Sequence, residues 1–317
     1  MENLNITGVQ KMNNDMMDLA LEEVNRILKS DQILVDVPMK DYTSMRVGGK
    51  AKIVVLPSAV DEIRELIKSL GKNSIPYYVI GNGTNLIVHD AGYNGVIIKL
   101  SENFSSVTVD ENIITAKSGA SIVSVSNLAC ENSLSGLEFA AGIPGTVGGA
   151  VVMNAGAYDG EMKDVVFEAT CVDHTGEIVS LGYDDLQFGY RTSRVQRDSL
   201  VVLEAKMRLN EGNMDAIKDK MKELNRRRRE KQPLNFPSAG SIFKRPAGHF
   251  AGKLIEEAGL RGYQIGGAQV SEKHCGFIIN TGTATASDVI ELIEYIKKKV
   301  FETSGVMLQQ EVKILGG

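Results

Sequence analysis

Three polar positions stand out for the chemistry their surroundings would allow. Arg191 lies in Phe188-Gly189-Tyr190-Arg191-Thr192-Ser193, where Tyr190 and the planar guanidinium could clamp an anionic group. Ser241 lies in Ser238-Ala239-Gly240-Ser241-Ile242-Phe243-Lys244, a hydroxyl among small residues with a cation three positions on. Glu311 lies in Leu308-Gln309-Gln310-Glu311-Val312-Lys313-Ile314, where alternation sets Gln309, Glu311 and Lys313 opposite Leu308, Val312 and Ile314. Taken singly, each has an ordinary surface or structural explanation.

Other chemistries lack their residues. The four histidines form no H-x-x-x-H and have no carboxylate at ligand spacing, so no metal is expected. No G-x-S-x-G elbow is present, which disfavours serine hydrolysis. His274 and Cys275 are neighbours in sequence, but catalytic Cys–His pairs meet in space, so core or surface roles are expected. Cys130, Cys171 and Cys275 are far apart and odd in number, which fits a reducing cytoplasm rather than a disulfide framework. Arg226 to Arg229 point around a helix rather than to one face, and read as a basic helix C-terminus.

Two glycine clusters carry more. Gly81-Asn82-Gly83-Thr84-Asn85 follows the short apolar run Tyr77–Ile80 directly. Its N–H groups could form an anion-binding concavity, although a lone G-x-G is more often a tight turn. It lacks the third glycine of a dinucleotide fingerprint. Gly142-Ile143-Pro144-Gly145-Thr146-Val147-Gly148-Gly149-Ala150, extended by Asn154-Ala155-Gly156-Ala157, has little side-chain volume, so a ligand or another backbone approaches closely. Two such clusters suit a long ligand with a pyrophosphate at its middle, a dinucleotide such as FAD.

The elements that must position these residues read as follows. A helix over 14–30 has Met17, Leu21, Val24 and Leu28 at helical spacing and Asn14 as its cap. A strand over 52–56 precedes a helix that Ser58 and Asp61 open as a capping box and that runs through Leu70. Strands over 77–80 and 96–100 complete a small α/β unit. Beyond residue 105 come a hairpin (107–109 with 113–115), a helix over 121–132, and strands over 165–172, 177–181 and 201–209. Helices over 215–229, 251–258 and 286–301 and a last strand over 306–315 make a third unit. The expected division is 1–34 as a helical extension, then domains at 35–103, 104–210 and 211–317.

Composition agrees. A chain of 317 residues favours two or three domains. With 35 basic against 40 acidic residues, the net charge of −5 provides no global field for nucleic acid. Residues 1–11 lack a signal-peptide pattern, and the uncharged run 139–158 is broken by glycines and Pro144, so no membrane span is expected.

Taken in order, Thr43-Ser44-Met45-Arg46-Val47-Gly48-Gly49, the two glycine clusters, Asn154-Ala155-Gly156-Ala157-Tyr158, Tyr190-Arg191-x-Ser193, Ala239-Gly240-Ser241-Ile242-Phe243-Lys244 and Glu311-Val312 resemble the UDP-N-acetylenolpyruvoylglucosamine reductases over about residues 35–317. The resemblance is to the shorter type, which lacks an extra substrate-covering insertion. It implies an α+β fold: an FAD-binding domain of vanillyl-alcohol-oxidase type in two subdomains, plus a C-terminal α+β substrate domain. The cofactor is then held by Arg46, Gly48, Gly49, the whole Gly81–Asn85 turn, Gly142 to Thr146, Gly148, Gly149, Ala150, Asn154 and Gly156. Some relatives in that flavin superfamily attach FAD through a histidine in Ser-Gly-Gly-His. Ser118-Gly119-Ala120 has none, so the FAD is expected to be non-covalent.

The implied reaction reduces an enolpyruvyl ether of UDP-N-acetylglucosamine to UDP-N-acetylmuramate, for peptidoglycan precursors, with NADPH as hydride donor. Arg191 matches the position that stabilises charge developing on the carboxylate, with Glu311 assisting as a proton-bearing donor. Ser241 matches the proton donor to C2, with Lys244 as cationic support. Tyr190, Lys231, Lys244 and Gln309 are the expected substrate contacts. A cytoplasmic monomer without nucleic-acid or membrane partners is expected. The rivals are another flavin enzyme of the same fold, such as a sugar or alcohol oxidase, and a non-enzymatic nucleotide-sugar or nucleic-acid binding module.

Overall fold

The structure is a computed structural model and describes residues 14–158 and 160–317. The leader reading of residues 1–11 and the first part of the helical extension lie outside the described residues, as does the side chain of Asn14. The chain forms two compact units, each assembled from separated stretches. The first comprises the chain up to Val35, Ile53–Asn82 and Asn94–Arg227; the second comprises Asp36–Lys52, Gly83–Tyr93 and Arg228–Gly317.

In the first unit, the helix Asn14–Ile27 buries Ala20 and Val24 with Ile63, Leu66, Ile67 and Leu70 of the helix Val60–Lys72. Ile53, Val55, Val96 and Ile98 close that core. The strand Tyr77–Ile80 pairs in parallel with Tyr93–Lys99, Tyr77 opposite Val96 and Ile80 opposite Lys99. The expected capping box is corrected in detail. Glu62, not Asp61, reaches back, accepting from the N–H groups of Ser58 at 2.6 Å and Ala59 at 3.2 Å. Asp61 lies one position short of the third helical residue, from which a carboxylate can return to those donors.

A five-stranded antiparallel sheet follows, in the order Ile178–Gly182, Val166–Val172, Val201–Arg208, Ile113–Lys117, Val107–Asp110. One face is covered by the helix Ile122–Glu131, whose cap is Ser121, and by Val147–Val152, a helix inside the glycine-rich run; Val125, Ala129, Val147 and Val151 pack there on Ile114, Ala205 and Met207.

The second unit is also α+β. Its antiparallel sheet runs Ser238–Ser241, Phe277–Asn280, Ala268–Val270, Gln264–Ile265. Leu254 and Ile255 of Ala251–Glu257 and Val289, Leu292, Ile293 and Ile296 of Ala286–Ser304 bury its core. The last strand is much shorter than 306–315: only Lys313–Leu315 is strand, parallel to Leu86–Val88. The reason is a change of partner. Lys244 N–H donates to Gln309 O at 2.8 Å and Glu311 N–H to Ile242 O at 2.8 Å, and Lys313 N–H then donates to Asn85 O at 3.0 Å. Alternation fails at that switch, so Leu315 is buried and Ile314 is 38% exposed.

Among the described residues, no helix is long and apolar enough to cross a membrane. Among the same residues, no group of three or more His, Cys, Asp or Glu could hold a metal ion.

Candidate functional site

The first unit brings Gly81 against the second glycine cluster. Gly81 ends the strand Tyr77–Ile80, and a Cβ there would lie 2.3 Å from Thr146 Oγ1, so only glycine fits without displacing Thr146. Thr146 is buried; its hydroxyl accepts from Gly149 N–H at 3.4 Å and caps Val147–Val152. Behind it, Val147 N–H donates to Ala120 O and Gly148 N–H to Ser118 O, both at 2.8 Å. The Ser118 hydroxyl is buried and has no hydrogen-bond partner among the described residues. Gly142, Ile143, Pro144, Gly145 and Gly149 remain at least partly exposed, whereas Val147, Gly148 and Ala150 are buried. The run is therefore packed on one side and open on the other.

Asn154 plays a different part. It is fully buried, with φ +43, and its side chain is spent within the protein. Nδ2 donates to Glu161 Oε2 and Gly189 O, each at 3.0 Å, and Oδ1 accepts from Lys163 N–H at 2.9 Å. It thereby ties the glycine-rich run to the loop that carries Tyr190 and Arg191. Arg191, at φ +53, donates from Nη2 to Gly156 O at 3.0 Å and stands 5.3 Å from the Tyr190 ring centroid. Ser193 secures the loop from below, donating to Val152 O at 2.8 Å. The arginine run disperses as expected: Arg226 pairs with Glu223 at 2.9 Å and Arg227 faces the Tyr158 ring at 5.1 Å.

In the second unit, Thr43 to Gly49 pack on the stretch Gly83–Tyr93. Ser44 N–H donates to Gly83 O at 3.1 Å and Gly49 N–H to His89 O at 3.0 Å. Gly83 has φ +61, and a Cβ there would lie 2.1 Å from Tyr42 O, a backbone atom that cannot yield. Arg46 is exposed, also at positive φ, while Asn280 Nδ2 donates to Met45 O at 3.1 Å to fix the turn.

Ser241 and Glu311 lie on neighbouring segments of this unit. Ser241 pairs with Phe277 across the sheet and its hydroxyl donates to Phe243 O at 3.2 Å. Glu311 is fixed by its own N–H on Ile242 O and by Asn85 Nδ2, which donates to Glu311 O at 3.3 Å. Lys244 and Gln309 are joined through their backbones. Lys231 is exposed at the end of Met214–Lys231.

Two neighbours of this group were not singled out for chemistry by the sequence. Desolvation, and then the charge of Lys244, hold the Lys313 ammonium below the ordinary lysine range, so these two cations lie within each other's field. The signal was its place two residues beyond Glu311. His274 Nδ1 accepts from Gly276 N–H at 3.0 Å, and burial holds its imidazole below the usual range. A Cβ on Gly276 would lie 2.9 Å from His274 Cε1 and 3.6 Å from Ser241 Oγ, so ring and hydroxyl flank one glycine. No sequence spacing announces that.

Two family models match separate stretches of the chain. A family model described as the C-terminal domain of UDP-N-acetylenolpyruvoylglucosamine reductase matches residues 232–315. One described as an FAD binding domain matches residues 51–182. The UDP-N-acetylenolpyruvoylglucosamine reductase of Caldanaerobacter subterraneus subsp. tengcongensis is 50% identical over 301 residues, covering 95% of this chain and 99% of that protein. That of Clostridioides difficile is 50% identical over 305 residues, with 96% and 99% covered. The crystal structure of UDP-N-acetylenolpyruvylglucosamine reductase from Thermus caldophilus superposes with a TM-score of 0.76 at 34% identity, covering 90% of this chain and 98% of that one.

Proposed function

The chain belongs to the UDP-N-acetylenolpyruvoylglucosamine reductase family, in its shorter type, and from that premise we propose that Arg191, Ser241 and Glu311 carry out the chemistry. The activity is the FAD-dependent, NADPH-linked reduction of UDP-N-acetylglucosamine enolpyruvate to UDP-N-acetylmuramate, in peptidoglycan precursor synthesis. The observation that supports the proposed roles is the backbone tie from Glu311 to Ile242, the residue after Ser241.

The cradle fits FAD. Gly81 and Thr146 close on each other without side-chain volume between them, the open side of 142–149 offers backbone to a ligand, and Ser118 holds a buried hydroxyl in want of a partner. When bound, FAD supplies hydride from NADPH to C3 of the enolpyruvyl group. The residues of the chain handle the charge and the proton that remain. Arg191 and Tyr190 hold the anionic end of the substrate, and the Arg191 guanidinium faces the carboxylate as charge develops there. Ser241 turns its Oγ–H from Phe243 O and gives the proton to C2, with Lys244 and Lys313 supplying positive charge as the oxygen becomes anionic. Glu311 assists Arg191 at the carboxylate. Tyr190 and Lys231 contact the nucleotide or its phosphates, and Gln309 is a further substrate contact. Asn154 acts through the loop it braces rather than through the cofactor.

Free, buried Cys130, Cys171 and Cys275 fit a reducing compartment, and we place the enzyme in the cytoplasm as a monomer. The test is the visible spectrum of the purified protein under anaerobic conditions. A flavin band that bleaches with NADPH and returns only with the enolpyruvyl sugar supports the reading. A band that stays bleached with that sugar contradicts it and favours an oxidase of the same fold.

A further inference from the structure

Lys99 is the last residue of the strand Tyr93–Lys99 and stands opposite Ile80, the residue before the Gly81 turn. Leu100 N–H donates to Ile80 O at 2.8 Å, so the two strand ends are locked side by side. From there the Lys99 ammonium turns toward the turn itself. Nζ donates to Ser101 Oγ at 2.9 Å and reaches Gly81 O at 3.5 Å. Gly81 is the residue whose absent side chain lets Thr146 approach, so the ammonium sits where Gly81 meets the second glycine cluster. Burial pulls it below the ordinary lysine range, and the charge of Glu102 offsets that only in part.

Neither the flavin ring nor the adenine of oxidised FAD carries a charge; the negative charge of the molecule lies on its diphosphate. A partly desolvated cation at the meeting point of a backbone-lined cradle is matched to that group, because charge-assisted hydrogen bonds strengthen as water is excluded. We propose that Lys99 binds the diphosphate of FAD, an inference that rests on the reading of the Gly81 and Thr146 clusters as the cofactor cradle. Ser101 then acts as a positioning residue, holding the ammonium beside Gly81 in the absence of the ligand.

The experiment is a titration of full-length protein, stripped of flavin, with FAD, for wild type, Lys99→Met and Lys99→Arg. Thermal unfolding of each flavin-free protein is measured alongside. Loss of one charge-assisted contact predicts an FAD Kd raised about ten- to a hundredfold in Lys99→Met, with Lys99→Arg close to wild type. The flavin-free unfolding temperature should stay within about 2 °C of wild type, as for a substitution that removes no core contact. The wild-type Kd should also rise more steeply with salt than that of Lys99→Met. Equal FAD affinity in wild type and Lys99→Met overturns the proposal, as does a fall in affinity matched by a fall in flavin-free stability. Should Lys99→Met not fold, a wild-type FAD affinity indifferent to salt between about 0.05 and 0.5 M overturns it. A wild type that binds no FAD instead overturns the cradle reading on which the proposal stands.

Discussion

Glu311 donates its backbone N–H to the carbonyl of Ile242 at 2.8 Å, one residue along from Ser241. A bond made by the main chain does not depend on the state of either side chain. The backbones of Glu311 and of the residue after Ser241 are thus joined across two segments about seventy residues apart in sequence, and either side chain can be altered without losing that tie.

Glu311→Gln separates chemistry from architecture for that reason. Its backbone tie to Ile242 survives, so stability should change by no more than about 0.5 kcal/mol. Flavin reduction by NADPH should persist while reoxidation by the enolpyruvyl sugar slows by about 10²–10⁴. Rapid-mixing absorbance of each half-reaction checks this, and equal slowing of both would assign Glu311 to a general structural role.

Gly81→Ala tests the cradle. The new methyl would lie 2.3 Å from Thr146 Oγ1, and Thr146 is buried and cannot swing clear. A destabilisation of about 1–3 kcal/mol, with a drop in flavin content on purification, is expected. Adding Thr146→Ala should recover part of the stability, read as a coupling between neighbours. Identical unfolding of the single and double variants would mean that the contact is not the cause.

Asp90 predicts a pH dependence within the second unit. Desolvation pushes its carboxyl up, but the hydroxyl of Ser287 and the N–H groups of Ala286 and Ser287 outweigh it and hold the group below the usual aspartate range. A carboxyl depressed by folding stabilises the native state above its unfolded pKa of about 3.9, and that contribution is lost as pH falls through the folded value. Asp90→Asn should therefore lower the unfolding temperature at pH 7, with the gap to wild type closing below about pH 4. A gap unchanged down to pH 2 would show that the loss is one of packing.

Much of this architecture is legible in the residues, and the failures share a cause. The hairpin Val107–Lys117 and the helix Ile122–Glu131 follow from alternation, an acidic turn and a serine cap, all local signals. The strand over 306–315 misleads because Leu308-to-Ile314 alternates convincingly while the chain changes partners at Lys313, which no local pattern records. The strands Ala268–Val270 and Phe277–Asn280 are too short to declare a period. At the candidate site, the motifs do not record how each residue is held. Asn154 sits in a ligand-like glycine run, yet its side chain bonds to Glu161, Lys163 and Gly189. The meeting of Gly81 with Thr146, and the backbone tie of Ile242 with Glu311, span too much sequence to be read from spacing.

The most direct test of the account is a single turnover of Ser241→Ala, reduced with NADPH under anaerobic conditions and then mixed with UDP-N-acetylglucosamine enolpyruvate. Flavin reduction should match wild type, and return of the flavin band should be slower by about 10²–10⁴, the contribution of a positioned proton donor. Reoxidation at the wild-type rate would contradict the assignment of Ser241 as the source of the proton at C2.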